Sequence, residues 1–202
     1  MIVLMRHART EGGEGCCIGR TTLKLSKDGA RQAVEAAEEL RDCGFARLGC
    51  SPSLRACDTV APLAGRMELD PVVMPGLDEI DMGAWDGLTF SEIRERFPRD
   101  YELRGKDFAG FKPLNGESFN EVADRAVSAL ERSAAGPLPL LAVTHAGVIR
   151  AVLCRLTGHP MNKLFDYTPG HLECSILKST PTGLSFVATG LQPAAVRSFF
   201  CG

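Results

Sequence analysis

The chain has 202 residues, 45% of them hydrophobic and 24% charged, a balance that excludes intrinsic disorder and fits one rather large domain better than two. A formal net charge of -2 and a pI of about 6.1 supply no basic field of the kind that binds nucleic acid or an anionic membrane surface. The apolar stretches, residues 137–143 among them, fall well short of the ~20 residues that span a bilayer, and no cleavable leader follows residues 2–5, so the expectation is a cytoplasmic protein.

In chain order, residues 1–5 are an apolar run broken by Arg6 and His7, the pattern of a buried parallel strand. The Gly-rich segment 11–19 is a loop. Ser26 caps a helix reaching about Cys43, with Gly44 as its stop. Residues 47–50 form a short strand, 51–53 a turn, and 54–64 a helix ended by Gly65, with a third strand around 70–74. Thr89 with Glu92, and Ser118 with Glu121, match the reciprocal capping box, placing helices from there to about Phe97 and Ala134. Residues 98–116 show little periodicity. Residues 138–144 are the clearest strand, ending at His145 before a helix over 147–156. Strands at 172–178 and 184–189 are joined by a turn containing Pro181 and Gly183. Alternating strands and helices imply an α/β fold, a mostly parallel sheet covered on both faces, with an antiparallel edge from the last hairpin.

Eight cysteines (Cys16, Cys17, Cys43, Cys50, Cys57, Cys154, Cys174 and Cys201) form no C-x-x-C pair and no cluster with metal-ligand spacing. Reduced thiols are expected, and Cys50 and Cys154, in apolar runs, behave as small core hydrophobes.

Ligands of open α/β sheets bind beyond the carboxyl ends of the strands, where His7 and His145 fall. One such histidine is more often structural; two at equivalent strand ends favour chemistry. Arg6 and Arg9 flank His7, Arg20 lies in the next loop, and Arg55 in the first turn of a helix. A single arginine is usually a solvated charge, and Arg9 is balanced between that and the site. Arg6 closes an apolar strand, where a buried guanidinium needs an anionic partner, and its planar fork of donors suits phosphate oxygens. The glycines at 12, 13, 15 and 19 miss the dinucleotide spacing, and G-K-[ST], G-x-S-x-G and H-E-x-x-H are absent, which argues against nucleotide cofactors, esterase elbows and zinc peptidases.

The run Leu4-Met5-Arg6-His7-Ala8-Arg9-Thr10-Glu11 resembles the signature of the histidine phosphatase superfamily, the phosphoglycerate mutase-like family. Further matches follow in order: Gly19 with Leu25, Ser26 and Gly29; Ser51-Pro52 with Arg55, Ala56 and Thr59; Leu77-Asp78-Glu79 with Gly83 and Trp85-Asp86-Gly87; Gly116-Glu117-Ser118; and residues 143–150 around His145. The resemblance covers about residues 2–178 and implies a three-layer α/β/α sandwich. It implies His7 as the phosphate-accepting nucleophile, Arg6, Arg55 and His145 as its phosphate pocket, Glu79 as proton donor, and Thr10, Gly19 and Ala146 as further binding positions. No cofactor and no metal are implied. Ala8 and Ala146 stand where the family usually has glycine, and Gly13 where many members have asparagine.

Under that resemblance His7 attacks neutral, its pKa held below 6.5 by Arg6 and Arg55, with a tautomer-fixing acceptor that the sequence does not identify. Protonated His145 and the arginines meet the charge on the phosphoryl oxygens. Glu79, its pKa raised by burial and by Asp78 and Asp81, protonates the leaving alkoxide and then activates water. Trp85 reads as packing, Lys106 and Lys112 as solvated charges, and His159 and His171 receive no role.

The resemblance is nearest to α-ribazole-5′-phosphate phosphatases of cobalamin nucleotide-loop assembly, which implies a small-molecule phosphate monoester as substrate. Alternatives are a broad-specificity phosphatase, a 2,3-bisphosphoglycerate-dependent mutase, and an inactive protein that binds a phosphorylated ligand. Neither a nucleic acid nor a membrane is an expected partner, and a homodimer is left open.

Overall fold

The computed structural model describes the backbone of residues 1–201 and the side chains of residues 1–200. Six strands form one sheet in the order β3-β2-β4-β1-β5-β6. The first four, β1 (Ile2–Arg6), β2 (Arg47–Cys50), β3 (Val72–Val73) and β4 (Leu140–Thr144), pair in parallel. β5 (Cys174–Thr180) and β6 (Gly183–Leu191) close one side as an antiparallel hairpin.

Successive side chains of a strand point to opposite faces, and β1 uses both. Ile2 and Leu4 enter one apolar cluster, and Val3 and Met5 enter the other. The first cluster is roofed by α5 (Phe119–Ala134) and α6 (Ala146–Thr157). The second is covered by α1 (Lys27–Leu40), α2 (Leu54–Met67) and, through Val196, α7 (Pro193–Cys201). Helices on both faces of a mostly parallel sheet with an antiparallel edge give the three-layer α/β/α architecture of the phosphoglycerate mutase-like fold.

Local chemistry explains most boundaries. The Ser26 hydroxyl accepts from the Gly29 amide at the start of α1. Both capping boxes are formed, at Thr89/Glu92 before α3 (Phe90–Arg96) and at Ser118/Glu121 before α5. Several boundaries differ from expectation. α1 ends at Leu40, with a turn before Gly44. α2 runs through Gly65 to Met67 and stops where Glu68 turns left-handed at φ 54°. β4 begins at Leu140, because Pro139 has no amide hydrogen to give the ladder. β5 begins at Cys174, because Leu172 is left-handed at φ 62°.

Two α-helices were not expected. Residues 98–116 contain α4 (Pro98–Lys106), with a proline at its first position and no buried residue. α7 likewise starts on Pro193. No helix among the described residues is long and apolar enough to cross a membrane. Seven cysteines are reduced thiols; the side chain of Cys201 lies outside the described residues.

Candidate active site

Parallel pairing in register sets Arg6 of β1 beside Thr144 of β4, so His7 and His145 leave adjacent strands at the same level. Their rings lie 5.2 Å apart. The His7 amide donates to the Thr144 carbonyl at 2.9 Å, which fixes the bend that turns the His7 side chain out of the sheet. A cavity of about 490 Å³ opens there, walled by Arg6, His7, Arg9, Arg55, Glu79 and His171 among others.

His7 is 7% exposed. Its Nδ1–H donates to the carbonyl of Ala8 at 2.8 Å, which leaves Nε2 as the ring atom with a lone pair; the tautomer is assigned from this hydrogen bond. Burial lowers its pKa to about 3, helped by the charges of Arg55 and Arg6 and opposed by the Ala8 bond. The imidazole is therefore neutral at ordinary pH. Desolvation is a larger cause than the arginine charges expected from the sequence.

Arg55 is oriented by three acceptors. Its guanidinium donates to the carbonyls of Gly19 (2.8 Å) and Thr21 (3.0 Å), and its Nε to Nδ1 of His145 (3.2 Å). The loop carrying those carbonyls is tied in turn by Asp86, which accepts from the amides of Gly19 and Thr21 and from the Thr21 hydroxyl. Beyond His145 the chain continues: Nε2–H donates to Ser51 Oγ at 2.7 Å, and Ser51 donates to Asp78 at 3.1 Å.

His145 departs from the expectation of a protonated group facing phosphate. His145 is fully buried, both ring nitrogens are committed to protein partners, and burial and Arg55 hold its pKa well below 6.5. As the side chains stand, a neutral His145 positions Arg55. Gly19 is likewise a positioning residue: its amide serves Asp86 and its carbonyl serves Arg55.

Arg6 donates to the Pro169 carbonyl at 3.0 Å, while its buried Nε has no hydrogen-bond partner in the protein. A buried guanidinium donor left unmade costs about 1–3 kcal/mol, and an anion in the adjoining cavity would satisfy it. Thr10 and Ala146 also line the cavity. Gly13 does too, at φ 89°, a left-handed conformation that glycine adopts without strain.

Glu79 is 8% exposed and sits on the cavity wall with its pKa raised by burial. The amides of Ile80 and Gly147 donate to its carboxylate at 2.9 and 3.4 Å and, with Arg55, pull the other way. The expected contribution of Asp78 and Asp81 is not the cause. Asp78 accepts from Ser51 and from the Glu79 amide, and Asp81 pairs with Arg20 at 3.1 Å. Arg20, the cation noted in the loop after His7, is turned onto Asp81 and Glu117. Lys106 and Lys112 are exposed and paired with Glu102 and Glu121.

Sequence reasoning passed over three contributors. His171 lies 5.6 Å from the His7 ring, ring to ring, with its pKa lowered to about 4 by burial and by Arg6 and Arg9. It is brought there by pairing across the sheet, where the Leu172 amide donates to the Arg6 carbonyl, and nothing local marks it. Arg125 donates to the carbonyls of Gly76 and Glu79 and pairs with Glu117, holding the Glu79 segment against α5. Cys16 also lines the cavity. Among the described residues no group of three or more His, Cys, Asp or Glu side chains is placed to hold a metal ion.

The chain is similar to several curated proteins. It is 37% identical over 156 residues to a bifunctional protein of Mycobacterium tuberculosis, a match covering 75% of this chain and 43% of that one. The chain thus spans less than half the length of the first curated relatives it matches. It is 31% identical over 171 residues to glucosyl-3-phosphoglycerate phosphatase of Mycolicibacterium vanbaalenii, covering 80% and 76% of the two chains. Among solved structures, a mycobacterial glucosyl-3-phosphoglycerate phosphatase superposes with a TM-score of 0.81 at 26% identity, over 96% of this chain and 98% of that one. The α-ribazole phosphatase from Shigella flexneri shares the fold, with a TM-score of 0.83 at 22% identity over 94% and 96%. The family model for the histidine phosphatase superfamily, branch 1, matches residues 2–192, from the strand that presents His7 to the end of the sheet, and the chain belongs to that superfamily.

Proposed function

We propose that the protein is a phosphomonoesterase that works without a metal, through a phosphohistidine on His7. The observation that carries this reading is the tautomer of His7: Nδ1 is tied to Ala8, and a neutral Nε2 stands in a cavity with Arg6 and Arg55. Nε2 attacks phosphorus, the two guanidinium groups meet the charge on the equatorial oxygens, and Glu79, its pKa raised by burial, gives its proton to the departing alkoxide. The Glu79 carboxylate then takes a proton from water as that water attacks phospho-His7.

The cavity is larger than a phosphoryl group needs, which supports an ester with a sizeable organic leaving group. Within that class α-ribazole 5′-phosphate, and with it a place in cobalamin nucleotide-loop assembly, is the first substrate to test. Glucosyl-3-phosphoglycerate, named in relatives, comes beside it. The reduced thiols fit the cytoplasm.

The test is a phosphate-release screen over both compounds, phosphoserine, sugar phosphates and nucleotides, with EDTA present. Turnover that persists in EDTA, with an acid-labile, base-stable phosphoenzyme absent from His7→Ala, is the expected result. Activity lost to EDTA, or a phosphoenzyme retained by His7→Ala, would overturn the mechanism. 2,3-Bisphosphoglycerate-dependent mutase activity outrunning phosphate release would overturn the phosphatase reading.

A further inference from the structure

Cys50 ends β2 and Cys57 lies in the first turns of α2, and their sulfurs are 3.7 Å apart. Between them in sequence stand Ser51, which receives the His145 hydrogen bond, and Arg55. The Cys57 thiol donates to the Ser51 carbonyl at 3.4 Å. Two residues beyond Cys57, the Thr59 hydroxyl accepts from the Ala8 amide at 3.0 Å, next to His7. The thiol pair therefore lies under the joint that positions the phosphate pocket, and the mechanism above uses neither sulfur.

We propose that Cys50 and Cys57 are an oxidation site: hydrogen peroxide converts them to a disulfide that displaces Ser51 and Arg55 and disables the pocket. Cys57 is half-buried and Cys50 buried, so peroxide meets Cys57 first. Burial, and next the neighbouring Cys57, push the Cys50 thiol up to about 12, which keeps it protonated in the reduced pair. Peroxide takes two electrons from the Cys57 sulfur, giving the sulfenic acid and one water. The Cys50 sulfur then attacks that sulfur; the S–S bond forms, the S–O bond breaks, and hydroxide leaves with the Cys50 proton as a second water. In sum, two thiols and one peroxide give one disulfide and two waters.

A disulfide holds its sulfurs about 2.05 Å apart, against 3.7 Å here, so the proposed bond draws the end of β2 and the start of α2 together. Arg55 and Ser51 lie on the segment that moves. A displacement of about 1 Å in a positioned group costs on the order of 100-fold in rate.

The sequence supplies a clean readout. Trypsin cuts after Arg47, Arg55 and Arg66, so Cys50 and Cys57 fall on different peptides, 48–55 and 56–66. After peroxide treatment of the whole protein and alkylation of remaining thiols, mass spectrometry is expected to show these two peptides joined, and separated again by dithiothreitol. Formation of the bond does not depend on the phosphatase reading; its consequence for the pocket does. p-Nitrophenyl phosphate hydrolysis is expected to fall at least tenfold and recover with dithiothreitol, and inorganic phosphate binding by calorimetry to weaken in parallel.

Cys57→Ser and, independently, Cys50→Ala are each expected to keep unoxidised activity and lose the reversible inhibition. Absence of the joined peptide while Cys57 is oxidised to the sulfinic acid would overturn the site. A joined peptide with hydrolysis and phosphate binding unchanged would overturn its coupling to the pocket. If wild type shows no hydrolysis before oxidation, the phosphatase reading fails, while the joined peptide and phosphate binding still decide this one.

Discussion

Nε of Arg55 donates to Nδ1 of His145, so that a guanidinium and an imidazole share one hydrogen bond with no carboxylate between them. The arrangement is possible only while His145 keeps a lone pair on Nδ1, and it is secured from the far side by Ser51, which accepts from Nε2 and donates its own hydroxyl hydrogen bond to Asp78. The relay fixes where Arg55 can point.

Replacing either end should loosen Arg55 without removing its charge. Ser51→Ala leaves a buried imidazole N–H without its acceptor, at a cost of about 1–3 kcal/mol. Arg55→Lys keeps the charge but cannot supply donors to Gly19, Thr21 and His145 together. Both are expected to lower kcat/KM roughly 100-fold, with the Ser51→Ala loss mainly in kcat. An Arg55→Lys enzyme near wild-type activity would show that the fork geometry is dispensable.

Glu79 should matter in proportion to how much the leaving group needs a proton. Glu79→Gln preserves shape and removes the acid, so hydrolysis of an alkyl phosphate is expected to fall about 10²–10⁴-fold. Formation of phospho-His7 from p-nitrophenyl phosphate, whose leaving anion is stable, should fall far less. In the wild type the acid is lost as pH rises through the raised Glu79 pKa, so alkyl ester turnover should decline on that limb first. Equal losses for both esters would remove Glu79 from the acid role.

Gly147 tests the same carboxylate from its other side. In a helix, Gly→Ala is ordinarily stabilising by up to about 1 kcal/mol, but a Cβ at Gly147 would collide with Oε1 of Glu79. That oxygen is the tip of a movable side chain, so the fold should tolerate the change while the carboxylate is driven from its place. Gly147→Ala is expected to melt within a few degrees of wild type and to lose at least tenfold in alkyl phosphate turnover, with phosphate affinity retained. A large fall in melting temperature would mean the chain yields there instead of the carboxylate.

Much of the fold and part of the site were legible because they are written locally. Apolar runs broken by Arg6-His7 and by His145 mark the ends of two parallel strands, and capping boxes mark α3 and α5. α4 was illegible because it buries none of its residues, so no apolar stripe reveals it. Gly65 misled because glycine is only a weak helix breaker, and Glu68 ends α2 instead. Arg20 and Arg55 read alike in sequence, as cations in or after loops. The carboxylates of Asp81 and Glu117, distant in sequence, capture the first, while the carbonyls of Gly19 and Thr21 aim the second. His171 and the neutral state of His145 depend on long-range pairing and burial, which no spacing encodes.

The depressed pKa of His7 also makes the pocket a source of acid sensitivity. In the unfolded chain a histidine takes up its proton near pH 6.5, whereas folded His7 resists protonation down to about 3. Between those values the unfolded state binds more protons, so stability falls as pH is lowered, by about 1.4 kcal/mol per pH unit for one fully shielded group. His171, lowered to about 4 but only partly shielded, adds a smaller slope of the same sign. Carboxylates titrate in the same range but remain in any His7 variant, so the difference between two proteins isolates the histidine. His7→Gln is therefore expected to gain about 2.5 kcal/mol on wild type between pH 7 and pH 4.5, read from urea unfolding in phosphate-free buffer. Parallel pH profiles for the two proteins would mean that His7 accepts its proton in the folded state as readily as in the unfolded one, and that burial does not hold it neutral.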